Sequence, residues 1–245
     1  MENMIEVRNL TKKFDTFTAV DDISFSVKTG DIFGFLGHNG AGKTTTINML
    51  TTLLQPTKGH ASIHGFDILH EPMKVRKNIG YIPENVRLYD TLTGYENLEF
   101  FAQLSGIWQP KSIIDETLQF LQATSFAHKK IRELSKGMLQ RIGLAQAILH
   151  KPKVLFLDEP TSGLDPLGVK QLRDILLRLN KEEGTTVFMN THLLSEVTKT
   201  CKTIGVLNHG KLIYTDTLAN TLKRFQDESS LEEIYLSIES DAREQ

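Results

Sequence analysis

The sequence predicts an α/β protein with a mostly parallel central sheet, an N-terminal antiparallel β subdomain and an inserted all-helical subdomain. Three observations carry that prediction. Val154-Leu155-Phe156-Leu157 is an unbroken apolar run of strand length, the pattern of a strand covered on both faces. Ile32-Phe33-Gly34-Phe35-Leu36 is a second apolar run, and it passes through a glycine-rich stretch into Thr46-Ile47-Asn48-Met49-Leu50, which reads as strand, loop, helix. Ile5-Glu6-Val7-Arg8-Asn9-Leu10 and Ile23-Ser24-Phe25-Ser26-Val27 alternate instead, as half-buried strands do.

Composition sets bounds without naming a function. The chain has 245 residues, 40% hydrophobic, with 28 basic and 30 acidic residues and a net charge of −2. That is enough for a sizeable core, and it offers no overall field for nucleic acid or anionic lipid. The lone Cys201 excludes an intrachain disulfide and fits a reducing compartment. The opening residues lack the basic and apolar regions of a secretory signal. No apolar stretch approaches the roughly 18 to 20 residues that span a bilayer, so membrane work is expected to go through another chain.

Taken in order, Lys12-Lys13-Phe14-Asp15 follows the first strand; Phe14 is either core or a ring free to stack on a base. Next comes Gly37-His38-Asn39-Gly40-Ala41-Gly42-Lys43-Thr44-Thr45, pinned between a strand end and a helix start. Its glycines let several N–H groups turn inward, and the helix N-terminus adds the positive end of its dipole. Lys43 supplies a point charge for β- and γ-phosphates, and the Thr44 hydroxyl a ligand for Mg²⁺. The fold class is therefore a P-loop NTPase core. Its helix is expected to reach about Leu54, followed by a turn at Pro56–Gly59 and a short strand at Ala61–Ile63. His60 and His64 would share a strand face but lack further metal ligands, so they read as surface histidines.

Ile79–Glu84 forms another strand, stopped by Pro83. Residues 85–152 then read as helical. Thr93-Gly94-Tyr95-Glu96 is a capping box for a helix through Leu104, Ser112–Asp115 opens a second through about Gln122, and a third runs from Ser135 to Leu149. Met138, Ile142, Ala145 and Leu149 make one stripe of that third helix. The basic cluster His128–Arg132 is too small for a nucleic-acid footprint.

The Val154 strand ends in Asp158-Glu159-Pro160. Ligands of α/β sheets bind beyond the carboxyl ends of strands, so this acid pair is expected beside the glycine loop. Adjacent residues leaving a strand point apart, which divides the labour: Asp158 on the Mg²⁺ shell, Glu159 on a water. Thr161–Pro166 turns into a long helix with Leu172, Ile175, Leu176 and Leu179 on one face. The strand Thr186–Asn190 ends in Thr191-His192, where His192 can reach a γ-phosphate. Residues 204–214 read as a hairpin. The tail, residues 226–245, carries seven acids and one base, and 231–236 suggests an amphipathic helix.

The resulting division is a core with its β subdomain at 1–84 and 153–225, a helical subdomain at 85–152 and an acidic tail at 226–245. One further stretch is Leu134-Ser135-Lys136-Gly137-Met138. With GHNGAGKTT, LFLDEP, SGLD and His192 in that order, the whole chain resembles the nucleotide-binding subunit of ATP-binding cassette (ABC) transporters. The resemblance implies an ATPase using ATP and Mg²⁺, with residues 37–45 as the phosphate loop and Phe14 stacking on adenine. It makes Ser135 and Gly137 the signature that binds the γ-phosphate of an ATP held by a second subunit, with Asp165 at the subunit interface. Asp158 and Glu159 become metal-shell acid and catalytic base, and His192 a switch on the γ-phosphate and water. It also implies a head-to-tail dimer on the cytoplasmic face of the membrane, bound to a separate integral membrane permease, with no nucleic-acid partner.

Two departures stand out. Glu84 occupies the place of a glutamine that touches Mg²⁺ and water in many members; it can still ligate metal but cannot donate a hydrogen bond. The signature reads LSKGM where many members have LSGGQ, and with GHNG and YIPE it resembles the branch that exports drugs, lipids or polysaccharides or serves membrane accessory systems. The rival expectation is a soluble cassette ATPase acting on ribosomes or DNA, which usually carries two cassettes or a long coiled-coil insertion. A P-loop kinase or GTPase would need an acceptor pocket or an NKxD motif, and neither is visible.

Overall fold

The computed structural model describes residues 2–225 of the chain. It opens with strands β1 (Asn3–Phe14) and β2 (Phe17–Lys28), a long antiparallel hairpin. Its register shifts at four places, and at one of them, between Val7 and Leu10, Asn9 takes φ 49° in a bulge. The bulge is fastened by Asn9 N–H to Ser24 Oγ (2.8 Å) and Asn9 Nδ2 to Asp22 Oδ1 (2.9 Å). Strand β3 (Ile32–Leu36) leads through the glycine loop to helix α1 (Lys43–Leu50). Strands β4 (Lys58–Ile63) and β5 (Phe66–Asp67) complete an antiparallel sheet of order β2-β1-β4-β5.

Helix α2 (Pro72–Asn78) precedes β6 (Ile79–Ile82), and α3 (Gly94–Leu104), α4 (Lys111–Phe120) and α5 (Lys136–Ile148) follow. Then come β7 (Val154–Asp158), α6 (Pro166–Glu183), β8 (Thr186–Thr191), α7 (Leu194–Thr200), β9 (Thr203–Asn208), β10 (Lys211–Thr217) and α8 (Leu218–Phe225). The second sheet has the order β10-β9-β3-β8-β7-β6 and is parallel except for β10.

The period of two along these strands builds two cores from one sheet. Ile32, Leu36, Leu155, Leu157, Val187 and Met189 face the side covered by α5, α6 and α7. Phe33, Phe35, Val154, Phe156 and Phe188 face the opposite side, with α1 and the antiparallel sheet. There Phe33 stacks between Phe25 (5.5 Å between centroids) and Phe188 (5.3 Å). Following the same alternation, the residues beyond Phe156 and Phe188 on that face are Asp158 and Asn190. The sheet thus delivers two polar side chains to the loop between β3 and α1.

Several elements differ from their sequence-based expectations. The first two strands are about twice as long as their alternating segments, because paired backbone extends through the polar turn up to Phe14 and Phe17. Helix α1 stops at Leu50 rather than Leu54: Thr51 folds its hydroxyl onto the Ile47 carbonyl (2.8 Å) and Thr52 takes φ 63°. His60 and His64 share no strand face, since β4 ends at Ile63 and His64 turns at φ 51°; both side chains are exposed. Ser112 does not open its helix. Pro110 holds the N-cap position, and the Ser112 hydroxyl is taken by Glu116 (3.0 Å). The short α2, α7 and β5 were not expected.

Other expectations hold. The Thr93 capping box closes from both sides, with Glu96 N–H to Thr93 Oγ1 at 3.1 Å and Thr93 N–H to Glu96 Oε2 at 2.7 Å. Ser135 caps α5 by accepting from Met138 N–H. Leu172, Ile175, Leu176 and Leu179 are buried along α6. The acidic stretch 226–245, with its expected amphipathic helix, lies outside the described residues.

Candidate nucleotide site

The loop between β3 and α1 is shaped by glycines in backbone conformations that other residues rarely adopt. Gly42 caps α1 at φ 104°, and a Cβ there would lie 2.4 Å from the Ala19 carbonyl oxygen. Gly40 has φ 86° and open space where its side chain would be. Between them Ala41 is buried, while Asn39 and Gly40 are exposed and Thr45 lies half-buried on the first turn of α1. The turn between β9 and β10 backs the loop: Gly210 N–H donates to the Ala41 carbonyl (2.9 Å), and His38 Nε2 meets Asn208 Oδ1 (3.1 Å).

Lys43 begins α1 with only 5% of its surface exposed. Its ammonium donates to the carbonyls of Gly37 (2.7 Å) and His38 (3.1 Å), so the charge is held over the loop's own concavity. The third direction faces Glu159, whose Oε1 is 3.4 Å from Nζ. The next residue, Thr44, donates its hydroxyl to Asp158 Oδ1 (3.1 Å).

Asp158 and Glu159 are 3% and 8% exposed. They diverge less than adjacent strand residues ordinarily do, reaching neighbouring residues of α1. The reason is that Glu159 leaves β7 in the left-handed region, at φ 46°, which swings its carboxylate back toward Lys43. Such a backbone costs on the order of 1 to 3 kcal/mol and persists only when its surroundings hold it. Here Glu159 N–H is shared between Asn190 Oδ1 (2.7 Å) and the Asn190 carbonyl (3.2 Å).

His192 lies at the far side of Glu159, its Nδ1 2.9 Å from Oε2. A carboxylate oxygen only accepts, so Nδ1 carries the proton and Nε2 is presented outward. Glu84 is exposed at the rim, with the Ser162 hydroxyl 3.4 Å from Oε1.

The electrostatics favour a cation. Burial pushes the Asp158 carboxyl above its ordinary range, against the bonds from Asn190 and Thr44 that pull it down, and the charges of Glu159 and Glu84 push it further up. Three carboxylates thus crowd a site with one permanent cation. The buried Glu159 Oε1 accepts no hydrogen bond, although Lys43 lies within ion-pair distance. Hydroxyl and carboxylate oxygens with an unused acceptor make a hard-donor set that fits Mg²⁺, and the loop fits a polyphosphate. Thr44 and Asp158, with Glu84 near, would hold such a cation, which would supply charge to offset that of the phosphates.

The remaining expected residues lie elsewhere. Phe14 is not core: 45% exposed, it stands at the tip of the first hairpin opposite Phe17, under the Lys12 ammonium (4.9 Å). Gly137, in the first turn of α5, has nothing nearer to its open face than Leu164 at 3.9 Å. Lys136 lies over Gly163, joining the signature stretch to the turn before α6. Asp165 is exposed and caps α6 through Gly168 N–H (2.7 Å). Within one chain, therefore, the glycine loop, the acid pair and His192 converge, whereas Ser135, Gly137 and Asp165 serve as helix caps and turns.

Two features were missed from sequence. Asn190 is fully buried between the two acids, and its signal was the alternation that puts it two residues beyond Phe188. A fork from Arg173 to Glu196 (3.2 and 3.1 Å) fastens α6 to α7, just after His192; the tertiary fold brings those residues together. A cavity of about 580 Å³, lined in part by Met4, Phe120, Lys153 and Thr185, lies toward the amino ends of β7 and β8. It is at the wrong end of the sheet for this chemistry, since α/β sheets bind ligands at the carboxyl ends.

A glycine loop between strand and helix, with acids at the end of a parallel strand one place removed in the same sheet, is the fold of the P-loop NTPases. Within that class, the profile of the ABC transporter family matches residues 20–162, and the chain belongs to that family as an ATP-binding domain. It is 47% identical over 87% of its length to YhcH of Bacillus subtilis (strain 168), named an uncharacterized ABC transporter ATP-binding protein, covering 70% of that protein. It is 42% identical over 87% of its length to the bacitracin transport ATP-binding protein BcrA of Bacillus licheniformis, covering 69% of it. Among solved structures it is similar to the dimeric, post-hydrolysis state of the ATP-binding cassette MJ0796 bound to ADP and Pi. There the TM-score is 0.79 and the identity 26%, over 88% of this chain and 99% of that one.

Proposed function

We propose that this chain is the Mg²⁺-dependent ATPase subunit of a membrane exporter. Two copies would bind head to tail around two ATP molecules and drive a separate integral membrane permease from the cytoplasmic face. The observation that carries this reading is the pairing of adjacent acids with adjacent residues of one helix: Asp158 with Thr44 and Glu159 with Lys43. That pairing supports Asp158 as the metal-shell acid and Glu159 as the base for a γ-phosphate held by the loop.

Within that reading Lys43 and the amides of residues 37–45 hold the phosphates, and Phe14, exposed at its hairpin tip, stacks on adenine. Glu159 orients water and takes its proton, His192 senses the γ-phosphate, and Glu84 completes the metal's surroundings. Ser135 and Gly137 bring the open N-terminus of α5 to the ATP of the second subunit, and Asp165 lies at the contact between subunits. An anion site on α5, distant in sequence from the loop it would complete, supports the head-to-tail pairing. The cassette dimer of MJ0796 supports it independently. Export is supported by the bacitracin transport relative. Among the described residues no helix is long and apolar enough to cross a membrane.

Purification of the tagged chain from its native membranes in mild detergent tests the proposal. Co-purification of a multi-span protein, with ATP hydrolysis that requires Mg²⁺, is expected. Recovery with ribosomes or DNA and no membrane protein would overturn it.

A further inference from the structure

Asn190 touches neither the loop nor any surface, yet it is bonded to both acids. It is fully buried at the end of β8. Its Nδ2 donates to Asp158 Oδ1 at 2.6 Å, and its Oδ1 accepts from Glu159 N–H at 2.7 Å. The orientation of the amide is therefore determined chemically. A backbone N–H can only donate, so Oδ1 must face Glu159, and the NH₂ group is left for a carboxylate that can only accept. A flipped amide would set two donors against each other and two acceptors against each other.

We infer that Asn190 is the positioning residue of the acid pair: its amide holds Asp158 in a metal-ready orientation and holds the left-handed turn that aims Glu159 at the loop. Thr44 and Asn190 both donate to Oδ1 of Asp158. Two donors on one oxygen fix the plane of the carboxylate and leave Oδ2 to carry the charge toward a cation. At the other end, the bond to Glu159 N–H stabilises the positive φ that brings Oε1 within 3.4 Å of Lys43. One side chain thus sets the separation between the metal-shell acid and the candidate base. Neither end is exchangeable. A serine or threonine here offers one hydroxyl, which cannot span both contacts, and a leucine of similar shape offers none.

This deepens the proposed function and rests on Asp158 belonging to the metal's surroundings. The two ends can be separated by substitution. Asn190→Asp keeps an acceptor for Glu159 N–H but turns the donor facing Asp158 into a repelling oxygen; Asn190→Leu removes both. Three quantities are measured on purified full chain: steady-state ATP turnover, the Mg²⁺ concentration that half-activates it, and the affinity for a fluorescent ATP analogue in EDTA.

In both variants the half-activating Mg²⁺ concentration is expected to rise by about tenfold or more, the range typical when a ligand's supporting group is lost. Turnover at saturating Mg²⁺ should fall further in Asn190→Leu than in Asn190→Asp, and metal-free nucleotide affinity should stay within roughly threefold of the parent, because Lys43 and the loop amides are untouched. Should either variant fail to fold, Asn190→Ser is measured in the same way, with the same direction of change in Mg²⁺ requirement expected. A Mg²⁺ requirement within twofold of the parent, or metal-free affinity lost in parallel with turnover, would overturn the assignment. Asp158→Asn serves as the reference. If it leaves the Mg²⁺ requirement unchanged, the metal-shell reading itself fails; if it shifts the requirement while the Asn190 variants do not, only the role of Asn190 fails.

Discussion

Lys43 and Glu159 face each other across 3.4 Å, with side chains only 5% and 10% exposed, and Glu159 shares its other oxygen with His192 at 2.9 Å. The two oxygens of one buried carboxylate therefore link the phosphate-loop cation to the strand-end histidine, whose own side chain is 44% exposed.

Glu159→Gln is expected to keep ATP binding and lower turnover by about 10²- to 10⁴-fold, the usual contribution of a positioned base. The amide keeps the shape of the side chain, so ATP should hold the variant as a dimer, read by size exclusion with light scattering. Undiminished phosphate release would remove Glu159 from the role of base.

Lys43→Ala acts earlier in the cycle. The ammonium is the permanent cation of the cradle, and loss of one charged hydrogen bond costs about 1.5 to 3 kcal/mol. Equilibrium titration with a fluorescent ATP analogue should show affinity reduced by roughly tenfold to hundredfold. Unchanged binding would show that the loop amides suffice.

The fork between Arg173 and Glu196 gives a third prediction. Arg173→Ala leaves the Glu196 carboxylate, 10% exposed, without its cation, and breaking a buried pair costs about 3 kcal/mol. Denaturant titration measures that loss. Because α7 follows His192 directly, turnover should fall more than ATP affinity does. Glu196→Gln keeps one acceptor and should lie between Arg173→Ala and the parent.

Cys201 supplies a prediction about pH. Burial, with Asp31 and Glu196 nearby, pushes its thiol well above the ordinary range. A group raised in the folded state contributes stability that is complete below its unfolded value and is lost as pH climbs beyond it. Stability should therefore decline above the normal thiol range, about pH 8.5, and Cys201→Ala should flatten that decline. A disulfide reagent should modify Cys201 only as fast as the chain opens; rapid labelling of the native protein would contradict its burial.

The division between sequence and fold follows from the range of the interactions involved. The glycine loop, the capping box at Thr93 and the buried strand before Asp158 were legible because each is encoded within about ten consecutive residues by backbone freedom, local hydrogen bonds or an apolar run. Helix ends were less so: Thr51 and Thr52 stop α1 a turn early, and Pro110 displaces Ser112 from its cap, through choices between competing local bonds. What only the tertiary structure decided is pairing across distance. That Phe14 stands exposed, that Glu159 turns back at φ 46°, and that Asn190 and Glu196 find Asp158 and Arg173 all depend on which strands and helices lie side by side. The sequence determined a phosphate-binding α/β cassette, because its recognition elements are contiguous. The geometry of the acid pair was decided by packing, because a buried carboxylate takes its direction from partners about thirty or more residues away along the chain.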